Sequence, residues 1–461
     1  MSDNENNLPK EEQVQAIKTT EFMKETIKQR PLNRKKLMRR LILTISMAVV
    51  FGLVACFTFI ILEPMMINRI NTQTKPEEEA VKPVTFVEET IEEETKPQDM
   101  IADESDLVAA AMPEQPSMLD DEQIEQVLNE IQFDADDYIA LNNAVRDKMS
   151  EVSNSLVDVI GITEDTDWFN DSYESQNEVS GVIIAENGRD YLILADMEAL
   201  GQTDSLMVRF MDGNTSDADV VMQDRITGFA VISVQMIHMR SETRDRVAII
   251  EMGSSAYKDI DGLAIVALGK PLGNTDSINM GYITSSSQVI DLADSYYKSI
   301  TTNMMGSTKA SGILVNYKGQ LMGVIKQNYA SADMKNMISG IGISELKRMI
   351  ELMSNGKEIP YLGVYGKDIP ASVSAEQGIP QGALVKELEM DSPFVEVGIQ
   401  SGDVITRFAG ISINSFQDVV NLMLTMEADS KVAIEVMRQG PEGYIPISTE
   451  VVLAHQIQPE D

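Results

Sequence analysis

Side chains able to act as bases near neutral pH are scarce in this chain, whose 461 residues include two histidines and one cysteine. His238 sits in a polar-flanked run behind an apolar stretch and His455 lies close to the C-terminus, and both read as surface or edge histidines. Cys56 lies in the most apolar stretch of the chain, which excludes an intramolecular disulfide and a cysteine-based zinc site. Carboxylates are abundant, with Asp+Glu 73 against Lys+Arg 37, but a scattered surplus has no ligand spacing, so neither a metal nor a cofactor is expected. Serine-based acyl transfer would need a base to accept the hydroxyl proton, a carboxylate to orient that base, and backbone N–H groups for the oxyanion.

The net charge of -36 makes docking on nucleic acid or anionic lipid through the main body unfavourable, and no nucleic-acid partner is expected. The length suggests two or three folded units with linkers. The absence of disulfide-forming cysteines outside the apolar stretch fits a bacterial cell surface better than a eukaryotic exterior.

Any chemistry must be positioned by the elements around it. Residues 41–62 (LILTISMAVVFGLVACFTFIIL) carry no charge and are long enough to cross a hydrocarbon core of roughly 30 Å as a helix. Arg30, Arg34, Lys35, Lys36, Arg39 and Arg40 precede them and an acidic flank follows, so the positive-inside rule predicts a cytoplasmic tail over 1–40 and an extracytoplasmic remainder. Residues 63–120, with Glu77-Glu78-Glu79 and Glu92-Glu93-Glu94, read as an acidic disordered stalk. A helical lead-in is expected over 121–153, from the spacing of Ile124, Val127, Leu128, Ile131, Ile139, Leu141, Val145 and Met149.

Short β-rich runs follow at 156–162, 181–185, 191–194, 206–210, 218–222, 230–234, 263–268, 280–285, 312–316 and 320–326, a series typical of barrels. A closing helix over 344–354, ended by Asn355-Gly356, marks a boundary. From Pro360 strands return, broken by one helix entered through Asn414-Ser415, which fits an α+β module of about 95 residues.

Several phrases in this order resemble the HtrA (DegP-like) family of trypsin-fold proteases with a C-terminal PDZ domain. They are Ser180-Gly181-Val182-Ile183-Ile184, Asp212-Gly213, the run from Asp224 to Val231, Ala267-Leu268-Gly269-Lys270-Pro271-Leu272-Gly273, and Gly281-Tyr282-Ile283-Thr284. The resemblance covers roughly residues 156–453. It implies a mainly β fold: a trypsin-like double β-barrel over 154–355 and an α+β PDZ domain over 360–456, preceded by one transmembrane helix.

The same resemblance places the catalytic triad on residues of the wrong type. The base falls on Met197, whose thioether cannot accept the proton; the orienting carboxylate falls on Gly228; the nucleophile falls on Ala310. Thr308 stands where the family has an oxyanion-loop glycine. Ser311, one residue along, is the alternative nucleophile, with Lys309 or Asp196 as its base.

In the PDZ-like part, Pro360-Tyr361-Leu362-Gly363-Val364 resembles the loop whose successive N–H groups hold a peptide's terminal carboxylate. Ile379-Pro380-Gln381-Gly382-Ala383-Leu384-Val385, Asp391-Ser392-Pro393 and the run from Gly398 to Ile405 follow the same family pattern. A peptide is expected to add as a strand beside 361–365, its last side chain entering a pocket walled by Val419, Val420 and Met423. The resulting expectation is a membrane-anchored, extracytoplasmic pseudoprotease. It would bind unfolded segments or C-terminal peptides as a scaffold or regulator in protein quality control, as a homotrimer or with active relatives. The alternative is a serine endopeptidase using Ser311.

Overall fold

The computed structural model describes residues 81–86, 134–166, 172–256, 260–273, 276–330 and 332–456. The cytoplasmic tail, the membrane segment with Cys56, most of the stalk and the first part of the lead-in lie outside the described residues. Among the described residues no helix is long and apolar enough to cross a membrane.

Helix α1 (Ala135–Val152) starts at a capping box, in which the Asp134 carboxylate accepts the Asp136 and Asp137 N–H groups and Asp137 accepts that of Asp134. It buries Val145, Met149 and Val152, spaced to form one stripe. Ile139 and Leu141, expected on the apolar face, are exposed, because burial begins only at Val145. The expectation of an unstructured stalk is also corrected in one place. At 81–86 the chain lies on the folded body, with Val84 buried and its backbone paired to the Asn355 side chain (2.9 and 2.8 Å).

Six strands form a closed barrel: β1 (Leu156–Thr166), β2 (Ser172–Glu186), β3 (Asp190–Asp196), β4 (Ser205–Phe210), β5 (Thr215–Gln223) and β6 (Phe229–Gln235), ordered β1-β2-β3-β6-β5-β4. Two short helices, α2 (Met197–Leu200) and α3 (Ser241–Arg244), follow β3 and β6. The second barrel repeats the order with β7 (Ala264–Lys270), β8 (Ser277–Val289), β9 (Lys298–Met305), β10 (Ser311–Val315), β11 (Leu321–Ile325) and β12 (Met337–Gly342), running β7-β8-β9-β12-β11-β10. Alternation separates two cores. Ile183, Ile193 and Ile232 fill the first barrel and Ile265, Ile300 and Leu314 the second, while Val182, Leu194, Phe229, Leu268 and Ile313 belong to the apolar cluster shared between them. Strands buried on both faces have no polar side, which is why β3, β10 and β11 read as continuous apolar runs.

Charge also crosses the barrel interface. Lys270, almost fully buried, meets Asp158 (2.7 Å), Asp276 (3.0 Å) and Glu178 (3.3 Å), and Arg209 binds Asp158 and Glu178 at 2.7 Å. A buried ammonium is tolerable only with such partners.

Helix α4 (Ile343–Ser354) closes the second barrel and buries Leu346, Met349, Ile350 and Met353 as its spacing predicts. The C-terminal module contains β13 (Pro360–Tyr361), β14 (Val364–Asp368), α5 (Ala371–Gln377), β15 (Ala383–Leu388), α6 (Pro393–Glu396), β16 (Val404–Phe408) and β17 (Ile411–Ser412). It ends with α7 (Phe416–Met423), β18 (Lys431–Gly440), β19 (Gly443–Val452) and β20 (Ala454–His455). Its sheet runs β14-β15-β16-β18-β19, leaving one edge of β14 without a strand partner among the described residues, and β13 pairs with β20. Helix α7 opens with the Ser415/Asp418 capping box and packs on β14 and β15. Gly366 permits that approach, since a Cβ there would lie 1.9 Å from the Phe416 ring.

Candidate functional site

The positions matched to base and orienting acid are adjacent. Asp196 ends β3 and caps α2 by accepting the Ala199 N–H (3.1 Å), and the Met197 N–H donates to the Gly228 carbonyl (3.0 Å). Gly228 closes a tight turn in which Asp224, itself buried, accepts the N–H and hydroxyl of Thr227. The turn gives Gly228 a φ of +75°, and a Cβ there would lie 2.6 Å from Glu198 Cβ and 3.4 Å from Lys326 Nζ. Glycine is therefore the residue this backbone and this space accept.

Lys326, one residue beyond β11, reaches over from the second barrel. Its ammonium is almost fully buried, binds Asp196 Oδ1 (2.8 Å) and Glu198 Oε2 (2.7 Å), and lies 5.4 Å from the Phe229 ring centroid. Burial raises the Asp196 pKa and Lys326 pulls it back down, leaving the carboxyl above the usual aspartate range.

Ala310 is buried in the core of the second barrel, beside residues such as Ile260, Leu314 and Ile325. Its N–H donates to the Ser307 carbonyl (3.0 Å) and that of Lys309 to Ser307 Oγ (3.1 Å), so both amides are used inside the turn. Thr308 and Lys309 are exposed. Ser311 is buried, and its Oγ accepts the N–H of Ser180 in β2 (3.0 Å), which ties the two barrels together. Of the bases considered for Ser311, Asp196 is engaged with Lys326. The histidines His238 and His455 are both exposed.

The second candidate site is the loop from Tyr361 to Val364. All four residues are buried, and Gly363 has a φ of +66°. Tyr361 Oη donates to Asp391 Oδ1 (2.7 Å), with the Arg225 guanidinium 5.9 Å from its ring centroid. The N–H groups of Leu362, Gly363 and Val364 converge on one carboxylate, that of Asp294 in the β8–β9 loop, at 2.7, 2.7 and 3.0 Å. Val419, Val420 and Met423 are buried in the apolar cluster that also holds Leu362 and Val364. Neither Lys326 nor Asp294 was singled out from the sequence. Lys326 left a trace, a charge closing the apolar run 321–325, whereas nothing in Asp291-Leu292-Ala293-Asp294-Ser295 marks its aspartate.

Two six-stranded barrels of one repeated topology, followed by a module with a carboxylate-binding type of loop, define a trypsin-like fold with a C-terminal PDZ domain. The PDZ domain family model matches residues 340–448. The chain is 27% identical over 277 residues to a probable periplasmic serine endoprotease DegP-like of Marinomonas sp., covering 59% of this chain and 56% of that one. It is 25% identical over 325 residues to the serine endoprotease DegS of Haemophilus influenzae, covering 69% and 89%. A third relative, the serine protease Do-like HtrB of Bacillus subtilis, is 24% identical, with 57% of this chain and 59% of that one covered. The chain thus spans little more than half the length of two of these three relatives. Among solved structures, HtrA-type protease AlgW with decapeptide aligns at a TM-score of 0.49 and 17% identity, over 68% of this chain and 99% of that one. The chain is thus similar to HtrA- and DegP-type proteases across its barrels and its PDZ domain.

Proposed function

We propose that this chain is a membrane-anchored, extracytoplasmic pseudoprotease that recognises peptides through its PDZ domain, as a scaffold or regulator in protein quality control. The observation that carries the reading is the buried Lys326 ammonium held by Asp196 and Glu198 beside Gly228, where a Cβ would meet the Glu198 side chain at 2.6 Å. Met197, Gly228 and Ala310 supply no proton acceptor, no orienting carboxylate and no hydroxyl. The two nearby carboxylates share one cation from the opposite barrel. Peptide capture rests on the edge of β14 that has no strand partner among the described residues and on the N–H groups at 362–364, whose convergence on the Asp294 carboxylate shows that they can hold one. The run 41–62 with its basic flank supports anchoring.

The test is cleavage of unfolded casein by the full chain beside an active HtrA protease, with binding of dye-labelled C-terminal peptides measured on the same preparation. Peptide binding without cleavage is the expected result. Cleavage that disappears in Ser311→Ala would replace this reading with a serine endopeptidase, the activity for which the curated relatives are named. Such an enzyme would also take a fluorophosphonate label at Ser311.

A further inference from the structure

A PDZ loop of this kind offers its N–H groups to the carboxylate that ends a peptide. In this chain that offer is already taken. Asp294 places both carboxylate oxygens on the loop, Oδ2 receiving Leu362 and Gly363 and Oδ1 receiving Val364. Its backbone N–H in turn donates to the Val364 carbonyl (2.9 Å), the bond that the last residue of an added strand would make at the edge of β14. One aspartate therefore reproduces both the acid and the terminal amide of a bound peptide.

The flanks of the loop are docked on the same module. Tyr296 Oη donates to Asp368 at the end of β14 (2.7 Å), and Lys386 of β15 pairs with Asp291. Leu292 packs against the apolar cluster containing Leu362, Val364 and Val420. Together these contacts lay the β8–β9 loop along the path proposed for a peptide.

Holding Asp294 there is costly in two ways. Its φ of +49° falls in the left-handed region, where residues other than glycine are strained. Its carboxylate is buried, its hydrogen-bond partners are backbone N–H groups, and Asp224 adds the repulsion of a second carboxylate. A contact fixed only for packing would not need a carboxylate in such a place, whereas three N–H donors on one anion are a recognition geometry.

We propose that Asp294 is an internal ligand of the PDZ carboxylate site, so that the β8–β9 loop holds the site shut and a partner's C-terminal carboxylate must displace it. The inference rests on the reading of 361–364 as a peptide site. Apparent peptide affinity is then lowered by the fraction of molecules in which the loop is closed.

Full-length protein in detergent tests this with Asp294→Asn, which keeps the shape and tolerates the left-handed backbone, and with Asp294→Gly, which relaxes that backbone. Hydrogen exchange over 360–366 reads the state of the loop. Anisotropy of dye-labelled decapeptides ending in apolar residues, with a free carboxylate or a C-terminal amide, reads the site. Exchange about tenfold or more faster in both variants is expected, with free-acid peptides bound about tenfold or more tighter than by wild type and amidated peptides not bound. Unchanged exchange, or equal peptide affinity in wild type and variants, overturns the internal ligand and leaves peptide recognition standing. Faster exchange with no peptide bound by any form removes the peptide reading, and the competition proposed with it.

Discussion

Lys326 and Asp294 are both buried charges, and they differ in what answers them. Lys326 has two carboxylates, and removing it strands Asp196 in a largely buried setting. Lys326→Met is expected to cost about 3–5 kcal/mol in denaturant unfolding, the usual result of breaking one side of a buried pair. Restoring the triad residues alone, with Met197→His, Gly228→Asp and Ala310→Ser together, is expected to give no casein cleavage. A side chain at 228 meets Glu198 at 2.6 Å on a backbone of φ +75°, and Lys326 still holds the local carboxylates.

Asp294 is answered by N–H dipoles instead of a cation, and desolvation outweighs them, raising its pKa to about 6. Asp224 from the β5–β6 turn raises it further, and the Asp294 charge in turn raises the hydroxyls of Tyr297, in its own loop, and of Tyr361, against whose ring Arg225 lies. A carboxyl whose native pKa is raised binds its proton more tightly when folded. Its stabilisation is complete below the unfolded value near 4 and is lost as pH rises through about 6. Denaturant curves at pH 5 and pH 7.5 are therefore expected to show wild type losing on the order of 1–1.5 kcal/mol relative to Asp294→Asn on the alkaline side.

Close approaches between elements place these groups. Helix α7 lies against β14 only because Gly366 leaves room for Phe416. Gly366→Ala puts a methyl 1.9 Å from that ring, and overpacking of this kind costs about 1–3 kcal/mol. Unfolding by urea checks the loss, and peptide affinity should fall with it since α7 walls the groove. Strand periodicity made most barrel strands legible in the sequence, but β9 and β12 were not among the expected runs. In β9, Ser299, Thr301 and Thr302 are buried, with Thr302 Oγ1 donating to the Ile338 carbonyl (2.9 Å), so inward positions look polar. In β12, Gly340 interrupts the apolar pattern where Val324 O would lie 2.4 Å from a Cβ.

At the scale of the whole molecule, the PDZ domain is docked on the barrels through groups from separated parts of the chain. Arg225 pairs with Asp391 (3.5 Å), its backbone N–H donates to Gln456 (2.9 Å), and Arg348 donates to the Leu424 carbonyl (3.3 Å). The anchoring proposed for 41–62 predicts that the protein stays in the pellet on alkaline carbonate extraction of membranes. Protease added to the outer face should then remove the folded domains and spare a short N-terminal fragment; release into the supernatant would count against the anchor. With a net charge of -36, self-repulsion should make thermal stability rise modestly as salt is added, read as an increase in Tm.

The amino-acid order by itself gave a barrel-type series of strands and a following α+β module, because alternation and turn residues are local signals; the double barrel and the PDZ domain were what the resemblance of its ordered phrases implied. It also showed which residue types stand at Met197, Gly228 and Ala310. It left two things to the tertiary structure: that Lys326 fills the neighbourhood of Gly228, and that Asp294 occupies the loop at 362–364. Both are contacts between residues about 70 to 130 positions apart, made by single charges whose local sequence is ordinary. Coulomb and hydrogen-bond energies depend on distance and burial, and only the folded chain sets those.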